Sequence, residues 1–295
     1  MHIGIQLPEV ERIVPWPEYR AMAILAEEVG FDSLWLGDHL LYDKPEGALG
    51  PWECWTQLAA IAAVTNRVLL GPLVSPTGWR NPALLVKMAA AVDEISGGRL
   101  VLGLGSGWNR REFDAYGYAF EKRVSRFEEA FTIITSLIRT GHADVSGEFY
   151  QIRDLPMVPP TRSDLPIMIG STGPRMLSIT APHLNWWNEW WSRFDNDPAG
   201  LDPLLERLDS ALGAAGRERA EITTSVAISV ALPAGGGRVM GADVQVPPIT
   251  GTAQEIAEQI AAFSAKVDHV QIVLDPITME SIEMMGTILR LVRAG

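Results

Sequence analysis

Cysteine is nearly absent: Cys54 is the one thiol in 295 residues. A lone thiol cannot close an internal disulfide, and the chain opens on the apolar stretch Ile3 to Leu7 with no charged leader before it, so a cytoplasmic protein is expected. No apolar run approaches the roughly 18 residues that cross a bilayer, which argues against a membrane span. Positive charge is scarce as well: 24 Lys and Arg face 36 Asp and Glu, a net charge of -12, with no basic run. Such a surface repels phosphate backbones and anionic lipid, so neither nucleic acid nor membrane is expected as a partner, and a small-molecule substrate is. Histidines number five, and His2, His142, His183 and His269 are too scattered for ligand spacing, so no metal site is expected. There is no nucleophile elbow and no pair of carboxylates at strand ends, which disfavours a hydrolase.

What the chain has is alternation. Short apolar runs at Ile3 to Leu7, Ser33 to Leu36, Val68 to Leu73, Leu100 to Leu104, Ile167 to Ile169, Leu184 to Trp187, Ile222 to Val230 and His269 to Leu274 read as strands. Helical patterns lie between them, at Pro17 to Val29, Cys54 to Val64, Pro82 to Ile95, Arg123 to Ile138, Pro174 to Thr180, Leu201 to Leu212, Thr252 to Phe263 and Met279 to Leu291. Eight strands alternating with eight helices in under 300 residues predict a single α/β domain over residues 1–295, a closed (β/α)8 barrel. Two segments break the rhythm. His142 to Pro160, with GEFYQI between turn signals, reads as a short hairpin or extended insertion; the glycine-rich Ala231 to Pro248 reads equally as a lid over the mouth or a disordered surface loop.

Barrel enzymes work at the C-terminal ends of their strands, so the residues that follow each strand are the candidates for chemistry. The second strand ends in Asp38 and His39, an acid beside a base able to move a proton near neutral pH; a structural histidine held by its loop is the alternative. Gly71 and Pro72 interrupt the third strand and predict a bulge. After the fourth strand, Gly103, Gly105 and Gly107 let the backbone approach a planar ligand, and their G-x-G-x-G-W spacing is not the G-x-G-x-x-G of a dinucleotide fold. Gly170, Ser171, Thr172 and Gly173 lead into a helix start with Arg175 nearby, which is either a phosphate-binding turn or an ordinary N-cap. Trp108, Trp186 and Trp187 fall at presumed strand ends, where large rings wall a substrate pocket or pack as core. Arg123 and Arg126, with Glu128 and Glu129, read as a solvated helix face or a structural salt bridge.

Several runs taken together resemble the bacterial luciferase-like monooxygenase superfamily, and within it the branch that uses the deazaflavin coenzyme F420. These are GFDSLWLGDH at Gly30 to His39, the segment Leu70 to Trp108, EFDAYG at Glu112 to Gly117, GSTGPRML at Gly170 to Leu177 and GTAQEIAEQIAAF at Gly251 to Phe263. The resemblance covers essentially the whole chain and implies a TIM barrel with an isoalloxazine-like ring across its mouth. It implies that Asp38 and His39 contact that ring and assist proton transfer, and that a non-prolyl cis peptide lies between Pro72 and Leu73, backing the ring. It further implies that Gly105, Ser106 and Gly107 run along the cofactor, and that Gly170, Ser171, Thr172 and Gly173 take its phosphate. Sugar-phosphate dehydrogenases of the superfamily carry a catalytic glutamate where this chain has Trp108, which speaks against their reaction; likewise Trp186 stands where relatives often have glycine. The function implied is hydride transfer between F420 and a small organic substrate. An FMN-dependent monooxygenase and a non-catalytic flavin-binding barrel are the alternatives, and a homodimer is left open.

Overall fold

The structure is a computed structural model that describes residues 1–44, 47–233, 235 and 246–294. Most of the glycine-rich segment 231–248, read from sequence as either a lid or a disordered surface loop, lies outside the described residues. Eight strand positions form a parallel barrel: β1 His2–Gln6, β2 Ser33–Leu36, β3 Leu69–Pro72, β4 Leu102–Gly105, β5 Ile167–Gly170, β6 Trp186–Trp190, β7 Thr223–Ala231 and β8 His269–Asp275. Around them run α1 Trp16–Val29, α2 Cys54–Ala62, α3 Pro82–Ser96, α4 Arg110–Tyr116, α5 Arg123–Thr140, α6 Pro174–Thr180, α7 Asp202–Ala214, α8 Ala253–Ala262 and α9 Met279–Ala294. In space the strands follow the order β3, β2, β1, β8, β7, β6, β5, β4. The ring closes where Leu70 bridges Leu100 and where a ninth short segment, Ser75–Pro76, pairs with Leu104 and Gly105 of β4. Among the described residues no helix is long and apolar enough to cross a membrane.

Local sequence explains the punctuation of this ring. Asn81 accepts hydrogen bonds from the amides of Ala83 and Leu84 and Pro82 fills the first turn, so α3 starts there; Gly97, with φ at 69°, ends it. Thr252 and Glu255 form a reciprocal capping box at the start of α8. The insertion after α5 is an antiparallel hairpin, His142–Ser146 paired with Gln151–Pro156. The sixth strand begins at Trp186 rather than Leu184, because the Asn185 side chain takes the Ile167 amide and an Arg139 guanidinium and so sits at the entry to the ladder. The helix α4 is an addition to the eight helices expected from periodicity.

The barrel interior is polar and aromatic. Asn188 donates to Ser225 and to Gln271, 3.1 and 2.6 Å away, while Ser33 joins His269 at 2.8 Å and accepts from the Trp35 indole. Apolar packing lies chiefly between the strands and the helical shell, where Ile5, Leu34, Leu104, Ile169, Val226 and Ile272 are fully buried.

Candidate active site

His39 follows β2 at the C-terminal mouth, and its surroundings define the site. Its Nδ1 lies 2.9 Å from Glu112 Oε2 and 3.2 Å from Oε1. Glu112 is fully buried, and its Oε1 also accepts the amides of Leu40 and Leu41. Three N–H groups therefore converge on one buried carboxylate, which clamps the imidazole to the backbone that carries it. A carboxylate accepts only, so Nδ1 carries a proton, and among the described residues no hydrogen bond engages Nε2. Burial alone would lower the imidazole's pKa, but the Glu112 hydrogen bond and the charges of Glu9, Glu112 and Asp38 outweigh it and raise it above the ordinary value.

Asp38 is differently employed. It is fully buried and accepts from Ser75 Oγ at 2.6 Å and from both Arg80 terminal nitrogens, at 2.6 and 3.0 Å; Arg80 also reaches Glu53 at 2.7 Å. A carboxylate so fully engaged anchors the β2 loop to the segment after β3 rather than offering a free base. Cys54 is buried nearby and its thiol pKa is pushed well up by burial, so it is an unreactive packing residue.

At the third strand the expectation needs correction. The non-prolyl cis peptide is Leu73–Val74, not Pro72–Leu73. Hydrophobic patterning locates the interrupted strand but carries no information on which bond in it is cis. As a result Val74, rather than Leu73, is the side chain set against the glycine loops: a Cβ on Gly105 would meet Val74 at 2.8 Å and one on Gly170 at 3.2 Å, while Leu73 is buried. Pro72 is buried too, and its carbonyl lies where a Cβ on Gly103 would fall. Gly107 has φ at 79° and a Cβ there would strike Phe113, so this turn of the loop requires glycine. Ser106 beside it is half-buried.

The Gly170–Gly173 turn is partly open. Ser171 Oγ accepts the Gly173 amide, Thr172 reaches the buried Glu189, and no side chain caps α6. Arg175 points to α5, donating to Ser125 at 3.0 Å and Glu128 at 2.7 Å, which ties the start of α6 to the first turns of α5. Arg123 and Arg126 occupy those same turns; of the solvated face or structural salt bridge read from sequence, the structure gives them neither among the described residues, since both are half-buried without a carboxylate partner. Glu128 holds Arg175 and Glu129 accepts the Phe149 and Tyr150 amides, whereas the two guanidiniums lie over Phe120 and Phe149, with buried Nε atoms that have no partner. Most other arginines of this acidic chain are ion-paired; these two are a local excess of positive charge.

Of the three tryptophans expected to wall the pocket, one is brought to His39. Trp108 stands edge-to-face with it, ring centroids 5.6 Å apart, and is 53% exposed. Trp186 lies at the opposite, N-terminal end of the barrel against Trp35 and His269. Trp187 is fully buried, with its indole N–H on the Ser171 carbonyl. The period-2 alternation of β6 explains the split: adjacent residues cannot share a face. Glu112 stands within EFDAYG with no role legible from sequence, because the short, charged α4 that delivers it shows no apolar period.

A family model described as luciferase-like monooxygenase matches residues 2–235. An F420-dependent glucose-6-phosphate dehydrogenase of Amycolatopsis mediterranei (strain U-32) is 34% identical over 157 residues, covering 52% of this chain and 46% of that protein. The pyrimidine monooxygenase RutA of Methylorubrum populi (strain ATCC BAA-705 / NCIMB 13946 / BJ001) is 30% identical over 211 residues, 68% of this chain and 54% of the relative. The chain thus spans about half the length of these curated relatives. In fold it resembles an F420-dependent secondary alcohol dehydrogenase, with a TM-score of 0.84 over 99% of both chains at 18% identity.

Proposed function

Because this chain belongs to the luciferase-like monooxygenase family, we propose that it is an oxidoreductase that works with the deazaflavin coenzyme F420 on a small organic substrate, with His39 handling the proton. The observation that carries the reading is the clamp on His39: a buried carboxylate fixes Nδ1–H and leaves Nε2 as the imidazole nitrogen that can exchange a proton. Asp38 acts through Arg80 and Ser75 to hold that loop in place.

The residues fit a flat ring with an anionic tail. Gly105 on one strand end and Gly170 on the next bring backbone without Cβ atoms to either side of Val74, with Pro72 and Leu73 before it in the chain, a surface against which a planar group can lie, and Ser106 and Gly107 continue the first of these loops. The turn Gly170, Ser171, Thr172 and Gly173, with Arg123 and Arg126, which no carboxylate pairs among the described residues, suits phosphate. Burial raises the Glu189 carboxyl's pKa, which favours its neutral form and reduces repulsion of an anion at this turn. When bound, the deazaflavin supplies the hydride chemistry, which the protein itself cannot.

Fluorescence titration of the purified protein with oxidised F420 and, separately, with FMN tests the assignment. Tighter binding of F420 is the expected result. Preference for FMN would transfer the site to the monooxygenases, to which the RutA similarity also points, and binding of neither would refute both.

A further inference from the structure

The Gly170–Gly173 turn is held from β6 by two side chains on one face of that strand. β6 pairs with β5 so that Asn188 lies level with Gly170, which sets Glu189 level with Ser171, the first hydroxyl residue of the turn. Asn188 turns into the barrel toward Ser225 and Gln271, so Trp187 and Glu189 share the opposite face. Trp187 donates its indole N–H to the Ser171 carbonyl at 3.2 Å, and the Glu189 carboxyl lies beside the Thr172 hydroxyl.

The two contacts differ in what they leave undone. Trp187 has one donor, and that bond satisfies it. Glu189 is 7% exposed; its Oε1 accepts the Trp190 amide at 3.0 Å, while Oε2 is buried and has no hydrogen-bond partner among the described residues. No cation among the described residues pairs with this carboxyl. Arg193, in the turn after β6, acts on it at longer range, Arg175 on α6 is paired with Glu128, and Arg123 and Arg126 of α5 lie over Phe120 and Phe149. A buried carboxylate with one bare oxygen is costly in itself, and an anion brought to the adjoining turn adds like-charge repulsion. One proton removes both penalties and converts the bare acceptor into a donor.

On the reading of this turn as the phosphate site, we infer that Glu189 is a proton-linked binding residue: as an anionic group enters the turn, the carboxyl takes a proton from water and Oε2–H donates to the bound oxygens. A ligand that favours the protonated acid binds most tightly where that acid is already protonated, and its affinity falls by up to about tenfold per pH unit above that point. Burial lifts the Glu189 carboxyl above its ordinary value, which brings this fall toward neutral pH. The neighbouring arginines keep their charge throughout.

Sulfate is the probe, because it offers phosphate-like oxygens and does not titrate between pH 5 and pH 9. Binding is followed by tryptophan fluorescence at constant ionic strength, and proton uptake by calorimetry in buffers of different ionisation heat. The parent's affinity is expected to fall about tenfold from pH 5 to pH 9, with a proton taken up on binding in that range. Glu189→Gln, whose amide donates without titrating, is expected to hold its affinity within about twofold and to lose the uptake. Glu189→Leu, which cannot donate, is expected to bind about tenfold more weakly than the parent at pH 5. A flat parent profile, a fall that Glu189→Gln shares, parent-like affinity in a Glu189→Leu protein of unchanged melting temperature, or no sulfate binding by the parent would each overturn the proposal. Oxidised F420, titrated at a single pH, reports separately: its failure to bind while sulfate behaves as expected would refute the cofactor reading alone.

Discussion

At the scale of single residues the site reduces to one imidazole and the carboxylate behind it. His39→Ala removes the proton-handling nitrogen but little that would grip a cofactor, so turnover is expected to fall about 100- to 10,000-fold while cofactor affinity changes only a few-fold. Steady-state kinetics beside a fluorescence titration separates the two, and unchanged turnover would reduce His39 to a packing residue. Glu112→Gln is the finer test. The amide oxygen can still accept the Leu40 and Leu41 amides, but the charge that holds the imidazole's pKa up is gone. The His39 titration followed by NMR is expected to move to lower pH, and any activity that needs the protonated ring should lose its alkaline limb at a correspondingly lower pH. A purely structural Glu112 would lower stability without moving either midpoint.

At the scale of elements, the glycine turn before α6 allows a clean separation of fold from ligand. A Cβ at Gly173 would meet nothing closer than Ser171 Oγ at 3.7 Å, and φ there is -63°, which any residue adopts. Gly173→Val is therefore expected to keep its melting temperature within a few degrees yet bind the cofactor more weakly, because a branched side chain crowds the turn's exposed amides. Equal affinities for variant and parent would remove the phosphate assignment. Much of this architecture was legible in the sequence: β2 has the bounds expected, and the other strands lie within a few residues of theirs, because parallel strands buried on both faces read as apolar runs. What escaped was set by tertiary context. The seven-residue α4 is too short and too charged to show a period, yet it delivers Glu112. Arg123 and Arg126 read as a solvated helix face or a structural salt bridge, but loop amides of the hairpin and Arg175 claimed the carboxylates and the two guanidiniums lie half-buried over Phe120 and Phe149.

Across the whole molecule, two buried histidines set opposite pH dependences. His269 opens β8, which pairs with β1 and β7, and its ring reaches Ser33 on β2, so it lies in the seam where the first and last strands of the barrel meet. Burial, with the nearby positive charges of His2 and the N-terminus, lowers its pKa to about 3. A histidine depressed on folding contributes stability that is complete above its unfolded value near 6.5 and is lost as pH falls from there toward about 3. Between pH 6.5 and 5 that loss is about 2 kcal/mol, at about 1.4 kcal/mol per unit. His39 works the other way: its pKa is raised in the fold, so its contribution is complete below about 6.5 and fades as pH rises through the folded value. The net charge of -12 adds self-repulsion on the alkaline side. Stability is accordingly expected to peak near neutrality, and His269→Gln, which cannot titrate, should flatten the acid limb while leaving the alkaline limb as it was. Thermal melts of both proteins from pH 5 to pH 8 check this; parallel acid limbs would show that the barrel seam does not depend on a neutral His269.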